Sequence, residues 1–195
     1  MIFEPKWKSL MATTTTPIFS PTQCQDIINV GHQQKAEEAK VGHASKGREG
    51  AHDVKMRVTT ISWIPFKVMP AMYQIIERSM KQVNGNHFGY EGMQLTEFAQ
   101  FTEYPKGGFY DWHMDADANC QHEPPVRKIS MTILLSPQTQ FEGGDLEFMK
   151  EGDKPPPLIQ GQAIFFCSLI RHRVAKVKKG VRRSLVMWFG GPHFR

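Results

Sequence analysis

Cysteine is scarce in this sequence, and long apolar runs are missing from it. The 195 residues include 3 cysteines, Cys24, Cys120 and Cys167, with no C-x-x-C pair, so the sequence suggests neither a disulfide framework nor a thiolate zinc site. No apolar run approaches the roughly 18–20 residues that cross a bilayer, and charged residues interrupt the N-terminal apolar residues where a secretory signal would need them. We expect a cytoplasmic protein without a membrane span.

Charge of one sign is not strongly dominant either. The 24 Lys and Arg residues outnumber the 19 Asp and Glu residues to give a net charge of +5, which permits an acidic partner without requiring one. Hydrophobic residues at 40% and charged residues at 22% are ordinary for a globular protein, so disorder, collagen and coiled coil are excluded as global descriptions. The length predicts a single domain over residues 1–195.

The N-terminal half of the chain carries the helical patterns. Ser20 followed by Pro21 predicts a capped helix, and apolar spacing predicts a second helix over 69–83 that ends at 84–86. The remaining upstream segments are predicted as a poorly ordered lead-in over 1–16, a loop over 40–52 and a strand over 54–63. Residues 1–92 are therefore expected to form an N-terminal support of helices and strands.

The pattern changes near residue 92 to short strands separated by turn clusters. The predicted strands span 93–104, 109–114, 128–135, 145–149, 158–159, 163–166, 172–177 and 184–189. Their number and spacing favour an antiparallel sandwich or jelly roll over 93–190, with the helices packed outside one sheet. The expected fold class is mainly β with flanking helices (α+β).

A His-x-Asp pair is the first feature that indicates chemistry. His113 and Asp115 would point to one face of a strand, because alternate residues share a face. His172, at the start of a later strand, is the natural third ligand of a facial triad, which leaves open positions on an iron. Asp117 is a rival carboxylate on the same face, but Asp115 lies closer to His113. Taken alone, the pair is also what a hydrogen-bonded surface pair would look like.

Arg182 is the second such feature, ten residues after His172. Adjacent strands of a jelly roll would bring its guanidinium into the cavity of the metal, where it can hold a carboxylate with two hydrogen bonds. Ser184 would lie on the same face and can add a hydroxyl donor. A metal with free positions beside an anion anchor fits a small dicarboxylic or keto-acid co-substrate.

These residues together resemble the motif of the Fe(II)/2-oxoglutarate-dependent oxygenases. The spacing of ten between His172 and Arg182 is similar to that of prolyl 4-hydroxylases and related bacterial and phage-encoded oxygenases. Further segments resemble the family in the same order: Tyr104-Pro105 with Gly107-Gly108 and Tyr110, then 127–135, 141–148, 161–166 and Trp188. The resemblance covers roughly residues 94–190, and residues 1–93 match only loosely.

The resemblance implies a double-stranded β-helix (jelly roll) and a dioxygenase that hydroxylates a prolyl residue in a peptide or protein, coupled to decarboxylation of 2-oxoglutarate to succinate. His113, Asp115 and His172 would bind Fe(II). The C5 carboxylate of 2-oxoglutarate would pair with Arg182, helped by Tyr104 and Ser184. The implied cofactors are Fe(II), 2-oxoglutarate and dioxygen, with ascorbate as a reductant, and a phage-encoded member would act in the host cytoplasm.

The resemblance also implies a substrate side. Tyr110, Arg127 and Trp188 match positions that line it in prolyl hydroxylases, and an aromatic wall suits a rigid apolar proline ring. The plainer interpretation is a core tryptophan and a packing tyrosine. Residues 116–126 would form a loop beside the metal that closes over the substrate, or an ordinary connection.

Other functions stay open at this stage. The basic run 171–183 could contact phosphates of a nucleic acid, but a solvated strand face is the plainer interpretation, and the nucleic-acid-dealkylating branch has a longer spacing before its arginine. A small molecule is a third substrate class, and a catalytically inactive jelly-roll binding protein is the alternative without turnover. The sequence leaves open the substrate, the regiochemistry of hydroxylation and the oligomeric state, for which a monomer is compatible.

Overall fold

The computed structural model describes residues 10–38, 56–116, 123–149 and 157–194. Its helices are α1 (Pro21–Gln33) and α2 (Pro70–Val83), and a π-helical turn over Asn84–Phe88 extends α2. Its strands are β1 (Met11–Thr13), β2 (Glu37–Glu38), β3 (Arg57–Val58), β4 (Thr60–Ile64), β5 (Gln94–Leu95), β6 (Ala99–Tyr104), β7 (Phe109–His113), β8 (Val126–Leu134), β9 (Phe141–Gly143), β10 (Leu146–Phe148), β11 (Ala163–Cys167), β12 (His172–Val174), β13 (Val177–Gly180) and β14 (Arg182–Gly191).

The strands pair into antiparallel sheets. The large sheet has eight strands in the order β1-β11-β8-β14-β6-β4-β2, with β5 also paired to β14. A small sheet has the order β10-β12-β7-β3, and β13 pairs with β9. With two α-helices in the described residues, the expected mainly β class is confirmed. Long-range pairing of this kind places residues that are distant in sequence side by side.

Helix α1 begins where its sequence predicts. The Ser20 hydroxyl accepts a hydrogen bond from the backbone N–H of Gln23, and the Gln23 side chain accepts one from the backbone N–H of Ser20. This reciprocal pair satisfies backbone donors that the first helical turn leaves without partners. The buried face of α1 includes Gly31, whose missing side chain lets the helix approach the ring of Phe101 on β6.

The main hydrophobic core lies between the helices and one face of the large sheet. Alternate residues of its central strands point into this core, as Phe101, Met131 and Leu185 do, and they join Ile27 of α1 and Ile76 of α2. The intervening residues of these strands point to the opposite face of the sheet. That alternation leaves a second face free to line a cavity.

Several predictions of helices and strands were wrong where contacts with distant parts of the chain determine the local structure. Met11–Thr13, predicted as part of a poorly ordered lead-in, forms β1 because its backbone pairs with β11. The second helix does not end at 84–86 but continues as the π-helical turn until Gly89, which has a left-handed φ of 69°. Residues 158–159 form no strand. The loop predicted over 40–52 lies outside the described residues.

Three predicted strands are interrupted in the structure. The run 54–63 divides at Thr59 between β3 in the small sheet and β4 in the large one, and the Thr59 hydroxyl donates to the Glu103 carbonyl at 2.6 Å. The run 172–177 also divides between sheets, into β12 and the start of β13, whereas the run 93–104 divides into β5 and β6 within the large sheet. Continuous β propensity did not reveal these breaks because strand pairing depends on contacts with other strands.

Among the described helices, none is long and apolar enough to cross a membrane. Cys24 and Cys167 are buried free thiols, and Cys120 lies outside the described residues.

Candidate metal centre and active site

Strands β7 and β12 bring the three predicted metal ligands together. His113 on β7 pairs directly with His172 on β12. Asp115 follows β7, and its backbone N–H donates to the carbonyl of Ser168 at 3.0 Å. The Asp115 carboxylate lies 3.7 Å from Nε2 of His113 and 3.5 Å from Nε2 of His172. Possible ligand atoms of all three residues lie within 4.8 Å of one another.

Backbone carbonyls orient both imidazoles. Nδ1 of His113 lies 2.7 Å from the carbonyl oxygen of Asp111, and Nδ1 of His172 lies 3.0 Å from that of Ile170. A carbonyl oxygen can only accept, so each Nδ1 carries a proton, and Nε2 is the nitrogen that each ring turns toward the cluster. Metal-binding histidines are held in this way by a partner on the second nitrogen.

The protonation states also suit a divalent cation. Burial, together with the neighbouring His172, lowers the pKa of His113 to about 4, so its imidazole is neutral at pH 7. Burial alone would raise the pKa of Asp115, but His172, His113 and a hydrogen bond from Ser130 hold that pKa below its usual range. Two imidazole nitrogens with one carboxylate oxygen are the donor set of a facial iron triad, so the residues present fit Fe(II).

Arg182 lies at another wall of the same site. It is the first residue of β14, pairs with Tyr104 of β6, and is 3% exposed. Its Nη1 donates to the Ser184 hydroxyl at 3.1 Å, and its guanidinium lies 5.6 Å from the centre of the Tyr104 ring. Burial lowers the pKa of Arg182, and no carboxylate of the described residues forms an ion pair with it. A buried cation without such a partner suits an anion from solution.

A cavity of about 460 Å³ joins the triad to Arg182. Its walls come from the small sheet on one side and from the cavity face of the large sheet on the other. The residues that line it are Glu37, Glu38, Arg57, Ile61, Trp63, Gln100, Tyr104, Tyr110, His113, Met114, Asp115, Arg127, Thr132, Leu146, His172, Val174, Arg182, Ser184, Val186 and Trp188. All nine site residues singled out from the sequence are among them.

The three residues predicted for the substrate side have different environments. Tyr110 stacks on His113 with ring centres 3.5 Å apart, and burial raises its pKa to about 12. Trp188 is 7% exposed and lies 6.2 Å from the ring of Trp63. Arg127 lies over the Trp188 ring at 3.9 Å. An aromatic wall therefore stands beside the triad.

Arg127 uses its guanidinium for contacts within the protein. Its Nε donates to Glu97 at 2.6 Å, its Nη2 also contacts Glu97, and its Nη1 donates to the Asp115 carbonyl at 3.3 Å. Sequence reasoning did not identify Glu97, because nothing local marks it as the partner of Arg127. It also missed Arg57, which lies over the Tyr110 ring at 4.4 Å. Asp117 and most of the loop 116–126 lie outside the described residues.

In sequence, this chain matches one family model and is similar to individual hydroxylases. Residues 99–190 match the family model of the 2OG-Fe(II) oxygenase superfamily. The chain is 31% identical over 121 residues to a PKHD-type hydroxylase of Synechococcus sp. (strain CC9311), covering 60% of this chain and 52% of that protein. It is 32% identical over 92 residues to a PKHD-type hydroxylase of Alteromonas mediterranea, covering 45% and 41%. The chain thus spans about half the length of the curated relatives it matches.

Solved structures share the fold over nearly the whole chain. A viral collagen prolyl hydroxylase from Paramecium Bursaria Chlorella virus-1, in complex with 2OG, has a TM-score of 0.70 at 19% identity, covering 94% of this chain and 97% of that one. A prolyl-4-hydroxylase of Pseudomonas putida has a TM-score of 0.64 at 19% identity, with 94% of both chains covered. A Trichoplax adhaerens prolyl hydroxylase has a TM-score of 0.70 at 16% identity, covering 93% and 84%.

The fold, the His-Asp-His cluster and the family model point to one class, since residues 99–190 match a 2OG-Fe(II) oxygenase domain. The cofactors of such a domain are Fe(II), 2-oxoglutarate and dioxygen. Within that class the chain is prolyl 4-hydroxylase-like, and the resemblance read from its motifs is confirmed.

Proposed function

We propose that this chain is an Fe(II)/2-oxoglutarate-dependent dioxygenase that hydroxylates a prolyl residue in a peptide or protein. The observation that carries the proposal is the joint presence, in one cavity, of the His113–Asp115–His172 cluster and the buried guanidinium of Arg182. The structural neighbours support the substrate class, since the Trichoplax adhaerens enzyme is in complex with a hypoxia inducible factor peptide fragment.

In this proposal the cluster holds Fe(II), and Arg182, Ser184 and Tyr104 hold the distal carboxylate of 2-oxoglutarate. The bound iron supplies the activation of dioxygen that oxidation of an unactivated C–H bond needs. The balanced reaction consumes the C–H substrate, dioxygen and 2-oxoglutarate and forms the alcohol, succinate and carbon dioxide. One oxygen atom enters the alcohol and the other enters the new carboxylate of succinate.

The residues of the chain then contribute position and exclusion of water. The carbonyl partners of His113 and His172 fix the imidazoles before metal arrives, which reduces the reorganisation that binding requires. The buried guanidinium of Arg182 would hold one end of 2-oxoglutarate and so limit the orientations that the rest of the molecule can take in the cavity. Tyr110 and Trp188 would place an apolar prolyl ring beside the reacting centre.

The same proposal includes the finer architecture. Two antiparallel sheets that enclose the cavity support a double-stranded β-helix, with residues 1–195 as one oxygenase domain and the N-terminal helices as its support. A proline-containing peptide or protein is the proposed partner, and ascorbate the proposed reductant. The cytoplasmic location stays a prediction of the cysteine pattern.

The test is turnover by the purified chain with Fe(II), 2-oxoglutarate, ascorbate and a library of proline-containing peptides. We expect succinate to form in proportion to peptide, and mass spectrometry to show a gain of one oxygen on proline. Asp115→Ala should abolish both products, because the cluster loses its carboxylate. His32→Ala on the exposed side of α1 is the matched control and should retain activity.

Two outcomes would contradict different parts of this proposal. Decarboxylation of 2-oxoglutarate that no proline peptide stimulates would reject the prolyl substrate and direct the search to small molecules or nucleic acids. Full activity of the Asp115→Ala variant would reject the iron site itself.

A further inference from the structure

A third guanidinium besides those of Arg127 and Arg182 lines the cavity within the described part of the chain. It belongs to Arg57 on β3, the edge strand of the small sheet, and Arg57 is 9% exposed. Strand β3 pairs with β7 so that Arg57 lies directly opposite Tyr110. This register places the Arg57 guanidinium over the Tyr110 ring, 4.4 Å from its centre.

The Tyr110 ring connects Arg57 to the metal cluster. Tyr110 stacks on the His113 imidazole at 3.5 Å, with only 13° between the two planes. Arg57, Tyr110 and His113 therefore form a continuous stack whose last member belongs to the triad. A group bound by Arg57 would lie near the reacting centre and next to the ring that we expect to contact the substrate.

Arg57 is the cavity guanidinium whose hydrogen-bonding capacity the described residues leave unused. Its Nε is buried and has no hydrogen-bond partner, and no ion pair among the described residues includes it. By contrast, Arg127 is bound to Glu97 and the Asp115 carbonyl, and Arg182 to Ser184. Burial of a guanidinium without an acceptor is costly, so such a group in a cavity indicates a ligand that supplies the acceptor.

We propose that Arg57 is a binding residue for the primary substrate, where it donates hydrogen bonds to an acyl oxygen adjacent to the carbon skeleton that is oxidised. This inference rests on the proposed function and deepens it. The acyl oxygen is either the carbonyl of a peptide bond, if the proline is internal, or a carboxylate, if the proline is C-terminal. In both cases the planar guanidinium fork matches the acceptor, and the Tyr110 ring holds the fork in place.

In this scheme Arg182 binds the co-substrate and Arg57 binds the primary substrate, so the two guanidinium groups have different roles. Ser184 and Tyr104 accompany Arg182 at the end of the cavity formed by β6 and β14. Arg57 instead stands beside Tyr110 on the small sheet. Substitution of Arg57 should therefore weaken binding of the substrate and leave binding of 2-oxoglutarate unaffected.

The experiment measures equilibrium binding by calorimetry to protein loaded with Mn(II), which replaces Fe(II) so that no turnover occurs. The probes are 2-oxoglutarate, then, in its presence, an acetylated tripeptide amide with an internal proline and an acetylated dipeptide acid that ends in proline. The variants are Arg57→Met, which keeps the apolar stem, and Arg57→Lys, which keeps the charge. The matched control is Arg173→Met, since Arg173 of β12 lies over the Trp112 ring at 4.8 Å but outside the cavity.

We expect Arg57→Met to raise the Kd of the bound peptide at least about tenfold, as the loss of a charge-assisted hydrogen bond predicts. The Kd of 2-oxoglutarate should stay within about twofold, Arg57→Lys should be intermediate, and Arg173→Met should match the wild type. Preference for the tripeptide amide identifies a peptide carbonyl as the acceptor, and preference for the dipeptide acid identifies a carboxylate.

Three results would overturn the assignment. If Arg57→Met binds the peptides as the wild type does, Arg57 does not contact the substrate. If the variant raises the Kd of 2-oxoglutarate as much as the Kd of the peptide, the guanidinium belongs to the co-substrate site. If the wild type binds 2-oxoglutarate but neither peptide, the prolyl substrate fails and the assignment fails with it, which distinguishes that failure from the first two.

Discussion

At the scale of single residues, the arginines of the cavity differ more in their partners than in their positions. Arg127 is held by Glu97 and reaches the backbone of Asp115, so it ties the loop after β7 to β8. Arg182 and Arg57 form no ion pair with a carboxylate of the described residues. Arg127 thus supports the protein internally, whereas Arg182 and Arg57 are available to ligands. Their equal charge does not reveal this difference.

A prediction at this scale concerns Gly144, which stands behind Arg182. Its φ is 70°, and a Cβ at this position would lie 2.8 Å from Cδ of Arg182 and 2.9 Å from Val177. Gly144→Ala should displace the guanidinium and raise the KM for 2-oxoglutarate about tenfold or more, because a misplaced anchor loses a charge-assisted bond. The measurement is succinate formation as a function of 2-oxoglutarate concentration.

Gly107→Ala is the matched control for this prediction. Gly107 has a similarly positive φ of 87°, but a Cβ there meets nothing closer than Lys176 at 3.9 Å. Both variants carry the backbone strain of an alanine at positive φ, so a KM change common to both would contradict a role through Arg182.

At the scale of elements, the contact of α1 with β6 depends on a residue without a side chain. A Cβ at Gly31 would lie within 2.5 Å of Cγ of Phe101, and Phe101 is 1% exposed in the main core. Gly31→Ala should therefore lower the free energy of unfolding by about 1–3 kcal/mol, the usual cost of overpacking, despite the better helix propensity of alanine. Denaturant unfolding monitored by circular dichroism measures this change.

Gly85→Ala provides the comparison on the other helical segment. Gly85 lies in the turn after α2, and a Cβ there would meet no atom within 4 Å. Its substitution should be neutral or slightly stabilising, since it adds no clash and restricts the unfolded chain. Equal destabilisation by the two substitutions would mean that the α1–β6 contact is not the cause.

At the scale of the whole molecule, a metal held by His113, Asp115 and His172 would link strands that come from distant parts of the chain. Because the triad is complete only when β7 and β12 are paired, a cation binds the folded state and not the unfolded one. Mn(II) at one hundred times its Kd should therefore raise the free energy of unfolding of the chelator-treated protein by about 2.7 kcal/mol. The Tm should rise by several degrees. Differential scanning calorimetry measures the shift.

Two variants decide whether this stabilisation arises at the triad. Asp115→Ala should abolish the metal-dependent rise in Tm. Asp26→Ala, which removes an exposed carboxylate from α1, should keep the full rise. A rise of equal size in all three proteins would show that the cation binds elsewhere.

The sequence by itself determined the features that depend on neighbours along the chain. Ser20 and Gln23 fix the start of α1 because capping needs only residues three positions apart. Alternation places Arg182 and Ser184 on one face of β14, because successive side chains of a strand point to opposite sides. The motif order also sufficed to nominate the residues that the structure brings together around one cavity.

The tertiary structure alone decided the features that depend on register and on contacts across sheets. Arg57 faces Tyr110 because β3 pairs with β7 in one register, and Glu97 meets Arg127 because their segments converge in space. The break at Thr59 and the pairing of β1 have the same origin. Local propensity describes what one segment favours, whereas strand pairing depends on backbone and side-chain contacts with residues far away in the chain.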